Sequence, residues 1–232
     1  MTRRLLLIRH GQTTYNATGR MQGHLDTELS EVGYAQARAA AELLEDKEIT
    51  AIVASDLIRA RDTADVIGRQ LGIEVDVDKR LRETHLGDWQ GMTSAEVDEQ
   101  YPGARALWRH DPTWAPPQGE SRVDVARRAR PVIDELMREL PDWDEGAVLV
   151  VAHGGAISAL TCHLLGLEHH QYGILSGLKN THWSQLTARP EFDASQPLSP
   201  LEFTPDNVER AQWYFDGWNM GGAVIGGAGA DV

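Results

Sequence analysis

Short apolar runs alternate with longer amphipathic segments along most of the chain. Residues 5–8, 51–54 and 147–152 are the clearest of these runs, and each stops abruptly at a polar residue. Apolar runs of this length, bounded by polar or glycine residues, are typical of buried strands. The run 147–152 is apolar throughout, which favours a central strand between parallel neighbours.

The segments between these runs have the features of helices. Ser30 is a favourable N-cap for an alanine-rich helix that extends to about Glu45. Gly72 is a typical end for a second helix, residues 56–71. Ser121 precedes a third helix, to about residue 140, whose apolar residues fall on one face. The weaker elements are strands at 73–77 and 181–187, a short helix at 94–100 and a helix at 155–167.

The alternation of strands and helices predicts an α/β fold, a three-layer α/β/α sandwich with a mostly parallel central sheet. The 232 residues fit one domain, which we place at residues 1–216. Residues 84–120 are rich in Gly, Pro and Trp and are predicted to form an insert that caps a crevice like a lid. Residues 217–232 are rich in Gly and Ala, and we expect a flexible tail there.

Charge and composition exclude several classes of partner. The formal net charge is −13, which argues against general nucleic-acid binding. No apolar run approaches the length of a membrane span, and no signal peptide precedes the first strand. We therefore expect a cytoplasmic protein that has neither a nucleic acid nor a membrane as partner.

The first apolar run ends in Arg9-His10-Gly11, which introduces candidate chemistry. In an open α/β sheet, ligands bind beyond the carboxyl ends of the strands. Imidazole can act as a nucleophile, and guanidinium matches the geometry of phosphate oxygens. On these three residues alone, an accidental basic pair at the end of an edge strand is the favoured explanation.

Further polar residues at comparable junctions favour the functional explanation. The run 147–152 also ends on a histidine, His153, followed by Gly154. Arg59 follows the run 51–54, Asn16 lies in the loop after His10, and Glu83 follows the strand predicted at 73–77. Two strands that each end in His-Gly, with Arg and Glu nearby, suggest phosphoryl transfer through a phosphohistidine.

With these motifs the chain resembles the histidine phosphatase superfamily, in its phosphoglycerate-mutase-like branch. The similarity extends from about residue 4 to about residue 167. The stretches 80–91 (RLRETHLGDWQG) and 114–125 (WAPPQGESRVDV) are similar to a phosphatase group of that branch that acts on a phosphorylated sugar acid.

The resemblance implies a role for each site residue. His10 is the expected nucleophile, Glu83 the general acid, and His153 the third catalytic residue. The phosphate-binding residues implied are Arg9, Asn16, Arg59 and Gly154. Candidates for contact with the rest of the substrate are Gln22, Gly23, Thr84 and His85, with Arg20 as a further candidate for a second anion contact.

The sequence also indicates which cofactors to expect. It contains no Walker-type loop and no dinucleotide-binding fingerprint, so no nucleotide cofactor is implied. His169 and His170 have only Glu168 close by as a further ligand, so we predict no metal site. The expected enzyme is a phosphatase that needs neither metal nor cofactor.

The substrate and the assembly remain open between alternatives. A small phosphorylated sugar acid is the expected partner, and a broad-specificity sugar phosphatase or a phosphoglycerate mutase are alternatives with the same histidine chemistry. A non-catalytic module that binds a phosphorylated ligand is less favoured, because His10 and Glu83 are both present. A phosphoprotein phosphatase is less favoured because it would need an open cleft, whereas the insert at 84–120 suggests a partly covered one. Family members are often dimers, so a homodimer is one possible assembly and a monomer is the other.

Overall fold

A mixed sheet flanked by helices forms the body of the protein. The computed structural model describes residues 2–140, 143–144, 146–192, 194 and 202–222. Within them, the sheet has six strands in the order β3-β2-β4-β1-β5-β6. The strands are Arg3–Arg9 (β1), Ile49–Ala54 (β2), Val75–Val77 (β3), Ala147–Ala152 (β4), Trp183–Arg189 (β5) and Gln212–Met220 (β6). The helices are Thr14–Ala17 (α1), Glu31–Leu44 (α2), Ile58–Leu71 (α3), Ser94–Gln100 (α4), Ala104–His110 (α5), Arg122–Glu139 (α6) and Gly154–Leu164 (α7).

The pairing of the strands confirms the predicted sheet. Strands β3, β2, β4 and β1 are parallel, whereas β5 and β6 are antiparallel to their neighbours. The fully buried run predicted as a central strand is β4, which lies between β1 and β2. The α/β class and the mostly parallel sheet are therefore as expected.

Packing on the two faces of the sheet gives the three layers. Successive side chains of a strand point to opposite faces. Leu5 and Leu7 of β1 accordingly pack with residues of α6 and α7, whereas Leu6 and Ile8 pack with residues of α2 and α3. The helices that follow β1 and β4 thus lie on opposite faces, and this divergence opens a crevice at the carboxyl ends of these two strands.

Capping residues explain where the main helices begin and end. The hydroxyl of Ser30 accepts the backbone N–H of Gly33 at 3.1 Å, which caps α2. Ser121 forms a capping box with Asp124 at the start of α6. Gly72 ends α3 with a φ of 72°, in the left-handed region that glycine adopts without steric cost.

The C-terminal part differs from the expectation of a tail that starts at residue 217. Strand β6 pairs with β5 and continues through Met220, so residues 217–220 are strand; residues 223–232 lie outside the described residues. β6 is an edge strand with register shifts against β5 and is mostly exposed. Its side chains therefore do not alternate between apolar and polar, and the sequence pattern does not reveal the strand.

The segment 84–120 folds as a small unit with its own apolar cluster. Trp89 is fully buried and packs against Trp108 and Trp114, with ring centroids 6.0 and 5.6 Å apart. Helix α5, which the sequence pattern did not predict, belongs to this unit. The side chains of Leu86 and Trp108 face the crevice, and the action of the segment as a lid stays a prediction.

Candidate active site

Two adjacent parallel strands bring the two histidines together. Arg9 at the end of β1 is in register with Ala152 at the end of β4. The next residues, His10 and His153, therefore leave the sheet side by side, and their ring centroids are 5.2 Å apart. The juxtaposition implied by the two His-Gly junctions is thus a direct result of strand pairing.

The ring of His10 is fixed in one orientation. Its Nδ1 lies 2.7 Å from the carbonyl oxygen of Gly11, a contact in which Nδ1–H donates and Nε2 keeps its lone pair. Only 2% of the residue is exposed. Burial first, and then the positive charges of Arg59 and Arg9, hold the pKa of His10 well below its usual 6.5. The imidazole is therefore neutral at physiological pH, as a nucleophile must be.

His153 is completely buried beside His10. Its Nε2 lies 2.9 Å from the hydroxyl oxygen of Ser55, the residue that follows β2. Its Nδ1 is buried and has no hydrogen-bond partner among the described residues. Burial and the charge of Arg59 lower its pKa well below 6.5, so His153 is also neutral. Its Nδ1 is therefore the ring nitrogen left to interact with a ligand beside His10.

Arg59, on the first turn of α3, is a buried cation whose position depends on backbone carbonyls. Its Nη1 and Nη2 donate to the carbonyl oxygens of Leu25 and Gly23 at 2.7 and 2.8 Å. Burial lowers its pKa to about 10, so it remains charged at neutral pH. Gly23 has a φ of +54°, and a Cβ there would lie 2.4 Å from Oε1 of Gln90. Gly23 therefore acts through its backbone, by positioning Arg59.

Asn16 lies in a network that orients its side chain. Its Oδ1 accepts hydrogen bonds from the backbone N–H and the hydroxyl of Thr13, both at 3.1 Å. Asn180 donates to the carbonyl oxygen of His10 at 2.9 Å and lies 3.4 Å from the same Oδ1. These bonds leave Nδ2 of Asn16 as the donor for a ligand in the crevice. Gln22 accepts from Thr13 at 3.0 Å and also lines the crevice.

Glu83 is held against the start of α7. Its Oε1 accepts the backbone N–H groups of Thr84 and Ala156 at 2.7 and 2.9 Å, and its Oε2 accepts that of Gly155 at 3.0 Å. A Cβ on Gly155 would lie 2.6 Å from Oε1 of Glu83. Glycine at this position is therefore what permits the close approach of the carboxylate to the helix.

The backbone of Glu83 is fixed by two side chains that the sequence analysis did not assign to the site. Nη2 of Arg128, on α6, donates to the carbonyl oxygen of Glu83 at 2.7 Å, and Nε2 of His24 lies 2.7 Å from the same oxygen. Arg128 also forms an ion pair with Glu120 at 2.5 Å. Both residues lie far from Glu83 in the sequence, and no local motif marks them.

One predicted substrate contact lies elsewhere. His85 does not line the crevice: its ring packs edge-on against the ring of His24, with centroids 4.8 Å apart, and its Nδ1 accepts the N–H of Gly87. Thr84, in contrast, lines the crevice with a buried hydroxyl that has no partner among the described residues. The backbone N–H of His85 donates to Oε1 of Glu120 at 2.9 Å, which fixes the chain at this residue.

The crevice has a volume of about 420 Å³, within the range of small-molecule sites. Among the described residues that line it, one is acidic, Glu83, and six are basic. The basic residues are Arg9, Arg20, Arg59, Arg109, Arg122 and Lys179. In a chain of net charge −13, this local excess of cations favours an anionic ligand.

Ser55 could have been found from the sequence, because it ends an apolar run just as His10 and His153 do. The wall formed by residues 173–179 carries no comparable signal.

In the described part of the chain, no group of three or more His, Cys, Asp or Glu side chains is placed to hold a metal ion. None of the described helices is both long and apolar enough to cross a membrane.

Comparison with known proteins places the chain in a family. Residues 5–195 match the model of the histidine phosphatase superfamily, branch 1. The glucosyl-3-phosphoglycerate phosphatase of Mycolicibacterium vanbaalenii is 49% identical over 226 residues, 96% of each chain. A probable phosphoglycerate mutase of Erwinia tasmaniensis is 37% identical over 163 residues, 69% of this chain and 74% of its own.

A solved structure gives the same result for the fold. The mycobacterial glucosyl-3-phosphoglycerate phosphatase in complex with VO3 is 49% identical and superposes with a TM-score of 0.83, covering 94% of this chain and 98% of its own. The fold, the paired histidines and these similarities agree. The chain belongs to branch 1 of the histidine phosphatase superfamily.

Proposed function

We propose that this protein is a phosphomonoester hydrolase that converts glucosyl-3-phosphoglycerate to glucosylglycerate and inorganic phosphate through a phosphohistidine on His10. The observation that carries the proposal is the state of His10. The ring is neutral, its Nε2 keeps a free lone pair, and both His10 and Glu83 line a crevice rich in basic side chains.

In the first step, Nε2 of His10 attacks phosphorus and the bond from phosphorus to the glycerate oxygen breaks. Arg9, Arg59 and Asn16, with Nδ1 of His153, donate to the phosphoryl oxygens, where negative charge is spread in the transition state. The carboxyl group of Glu83 gives its proton to the leaving oxygen.

In the second step, water attacks the phosphohistidine and its proton passes to the carboxylate of Glu83. The bond from phosphorus to Nε2 breaks, inorganic phosphate leaves, and the neutral His10 and the protonated Glu83 are restored. Each proton that Glu83 gives in the first step thus returns in the second.

The choice of substrate is supported by the relatives named above and by the charge of the crevice. Two relatives at 48–49% identity over 96% of the chain bear the name of this phosphatase. The substrate carries a phosphate and a carboxylate, and these two anionic groups suit a crevice lined by six basic side chains. The chain's similarity to a probable phosphoglycerate mutase keeps a mutase as the second candidate.

Three further properties belong to the proposal. The hydrolysis needs neither metal nor cofactor, because the nucleophile, the general acid and the phosphate donors are all side chains of this chain. The assembly is a homodimer that uses the exposed edge strand β6. The cytoplasm is the expected location of the protein.

The test is phosphate release from glucosyl-3-phosphoglycerate and from 3-phosphoglycerate, measured side by side with EDTA and without bisphosphoglycerate. We expect a strong preference for the glucosylated substrate, which is lost in His10→Ala. Equal or negligible release from both compounds would discard this substrate. Isomerisation of 3-phosphoglycerate to 2-phosphoglycerate would favour the mutase.

A further inference from the structure

The wall of the crevice formed by α5, the start of α6 and residues 173–179 contains a half-buried arginine that the proposed phosphoryl chemistry does not use. Arg122 is the first residue of α6 and lines the crevice together with Trp108 and Lys179. The resemblance that identified His10 and Glu83 implied no role for this residue.

Arg122 is fixed by carbonyl groups. Its Nη2 donates to the carbonyl oxygens of Trp108 and Arg109 at 3.0 and 2.9 Å, in the last turn of α5. Its Nε is buried and has no hydrogen-bond partner among the described residues. The guanidinium is therefore oriented, and part of its donor capacity is unused.

Arg122 also differs from other half-buried arginines in its charge balance. Arg128 has Glu120 as an ion-pair partner, and Arg130 has Asp134. Among the described residues, Arg122 forms no ion pair, and Asp111 is the nearby acid that raises its pKa. Burial has the larger effect and lowers the pKa of Arg122, because desolvating the charged guanidinium costs free energy.

A ligand can remove that cost. A desolvated cation is stable when an anion pairs with it, and guanidinium matches the geometry of a carboxylate. Arg109 and Lys179 line the same wall, but both are exposed, so water already solvates their charges and an added anion stabilises them less. Arg122 is thus the cation of this wall that gains most from an anionic ligand.

We propose that Arg122 binds the carboxylate of the substrate while the groups around His10 bind its phosphate, so that the enzyme selects phosphate esters of carboxylic acids. This inference rests on the proposed function, because it assigns the second anionic group of that substrate to a residue. A phosphoglycerate unit carries its phosphate and its carboxylate at opposite ends of three carbons, and one crevice must hold both.

The experiment compares wild type with Arg122→Met, which keeps an unbranched apolar stem but removes the charged guanidinium, and with Arg122→Lys, which keeps the charge but not the planar fork. Arg127→Met is the matched control, since Arg127 lies on the same helix, is exposed and does not line the crevice. Each protein is assayed with glucosyl-3-phosphoglycerate, with its neutral carboxamide, and with p-nitrophenyl phosphate.

We expect Arg122→Met to lower kcat/KM for the acid by roughly 10- to 100-fold, the usual range for a lost hydrogen bond to a charged group. The carboxamide and p-nitrophenyl phosphate should change less than about threefold, and Arg122→Lys should recover part of the loss. Arg127→Met should behave as wild type. An equal loss on all three substrates would assign Arg122 to holding α5 against α6 and would overturn the inference.

A binding measurement distinguishes a wrong substrate from a wrong role of Arg122. Calorimetric titration with 3-phosphoglycerate and with glycerol 3-phosphate compares two phosphate esters that differ in the carboxylate and need no turnover. A preference for the acid that disappears in Arg122→Met supports the role of Arg122 even if glucosyl-3-phosphoglycerate is not hydrolysed. Equal affinity of wild type for the two esters would overturn it, whatever the assay of hydrolysis shows.

Discussion

His10 is ready to attack because one hydrogen bond fixes its ring and its surroundings keep it neutral. Nδ1 is bound to the carbonyl oxygen of Gly11, and burial with the charges of Arg59 and Arg9 lowers the pKa of His10. The same cations that stabilise a phosphoryl group thus also prevent protonation of the nucleophile. The charges of Arg59 and Arg9 would therefore both bind the phosphoryl group and keep His10 unprotonated.

This arrangement predicts how activity depends on pH. Protonated His10 cannot attack, and its pKa lies below 6.5, so protonation occurs only at a lower pH. We expect kcat/KM, corrected for ionisation of the substrate's phosphate, not to fall as the pH is lowered from 7.5 to 6.5, and to fall through protonation of His10 only below pH 6.5. An acid limb centred above pH 6.5, with no other group to explain it, would contradict the neutral, buried His10.

Glu83 is expected to act by proton transfer, and Glu83→Gln tests this. The amide keeps the size of the side chain but cannot give or take the proton, so kcat should fall by roughly 10²- to 10⁴-fold. KM should change little, because Glu83 is not among the cations and donors that bind the phosphate. Steady-state kinetics measure both values; an unchanged kcat would remove Glu83 from the mechanism.

Among the secondary-structure elements, helix α7 has the most direct effect on the chemistry, through its first turn. The backbone N–H groups of Gly155 and Ala156 bind the carboxylate of Glu83, and Gly155 leaves room for it. The helix thus places Glu83, the proposed general acid, at the edge of the crevice. The carbonyl of Glu83 is held from the other side by Arg128 of α6.

Gly155→Ala tests this contact. The added methyl would lie 2.6 Å from Oε1 of Glu83, so the carboxylate must move, and we expect a loss of kcat of roughly 10- to 100-fold. Gly173→Ala is the control from the same crevice, since no described atom lies within 4 Å of its added methyl. Kinetics of the two variants give the comparison, and equal effects would show that the contact with Glu83 is not decisive.

The predictions from sequence succeeded where a pattern had a local cause. Ser30 and Ser121 begin their helices as expected, because a capping hydroxyl acts on the backbone three residues away. The junctions at His10 and His153 were visible because each ends a buried strand. These features depend on neighbours in the sequence and can therefore be recognised without the structure.

The features that were missed depend on distant contacts. Strand β6 is stabilised by pairing with β5, and α5 by packing within the unit of residues 84–120. Helix α6 carries several arginines, and the sequence does not show which of them has a role in the site. In the fold, Arg122 faces the crevice, Arg128 holds the carbonyl of Glu83, and Arg127 is exposed to solvent. The ring of His85 was misplaced for the same reason.

At the scale of the whole molecule, two features matter: the distribution of charge and the exposed edge of the sheet. The chain has a net charge of −13, yet six basic side chains line its crevice, so the crevice attracts an anionic substrate despite the overall negative charge. The sheet ends in β6, whose Tyr214 and Phe215 are 42% and 43% exposed. Exposed edge strands of this kind are available for pairing with another chain.

We therefore predict a homodimer that depends on β6. Analytical ultracentrifugation at micromolar concentration should give twice the mass of one chain, and Phe215→Lys should shift the protein to monomer by placing a charge on the edge. Leu43→Lys, at an exposed apolar residue of α2, is the control and should remain dimeric. A wild-type monomer would contradict the prediction.

The covalent intermediate provides the most direct test of the proposed chemistry. The enzyme is mixed with glucosyl-3-phosphoglycerate, quenched in alkali within milliseconds and digested, and the peptide that contains His10 is examined by mass spectrometry. We expect phosphate on His10 that is stable in alkali and is lost in acid. Phosphate release by wild type without any phosphorylated His10, or release that persists in His10→Ala, would contradict the phosphohistidine mechanism.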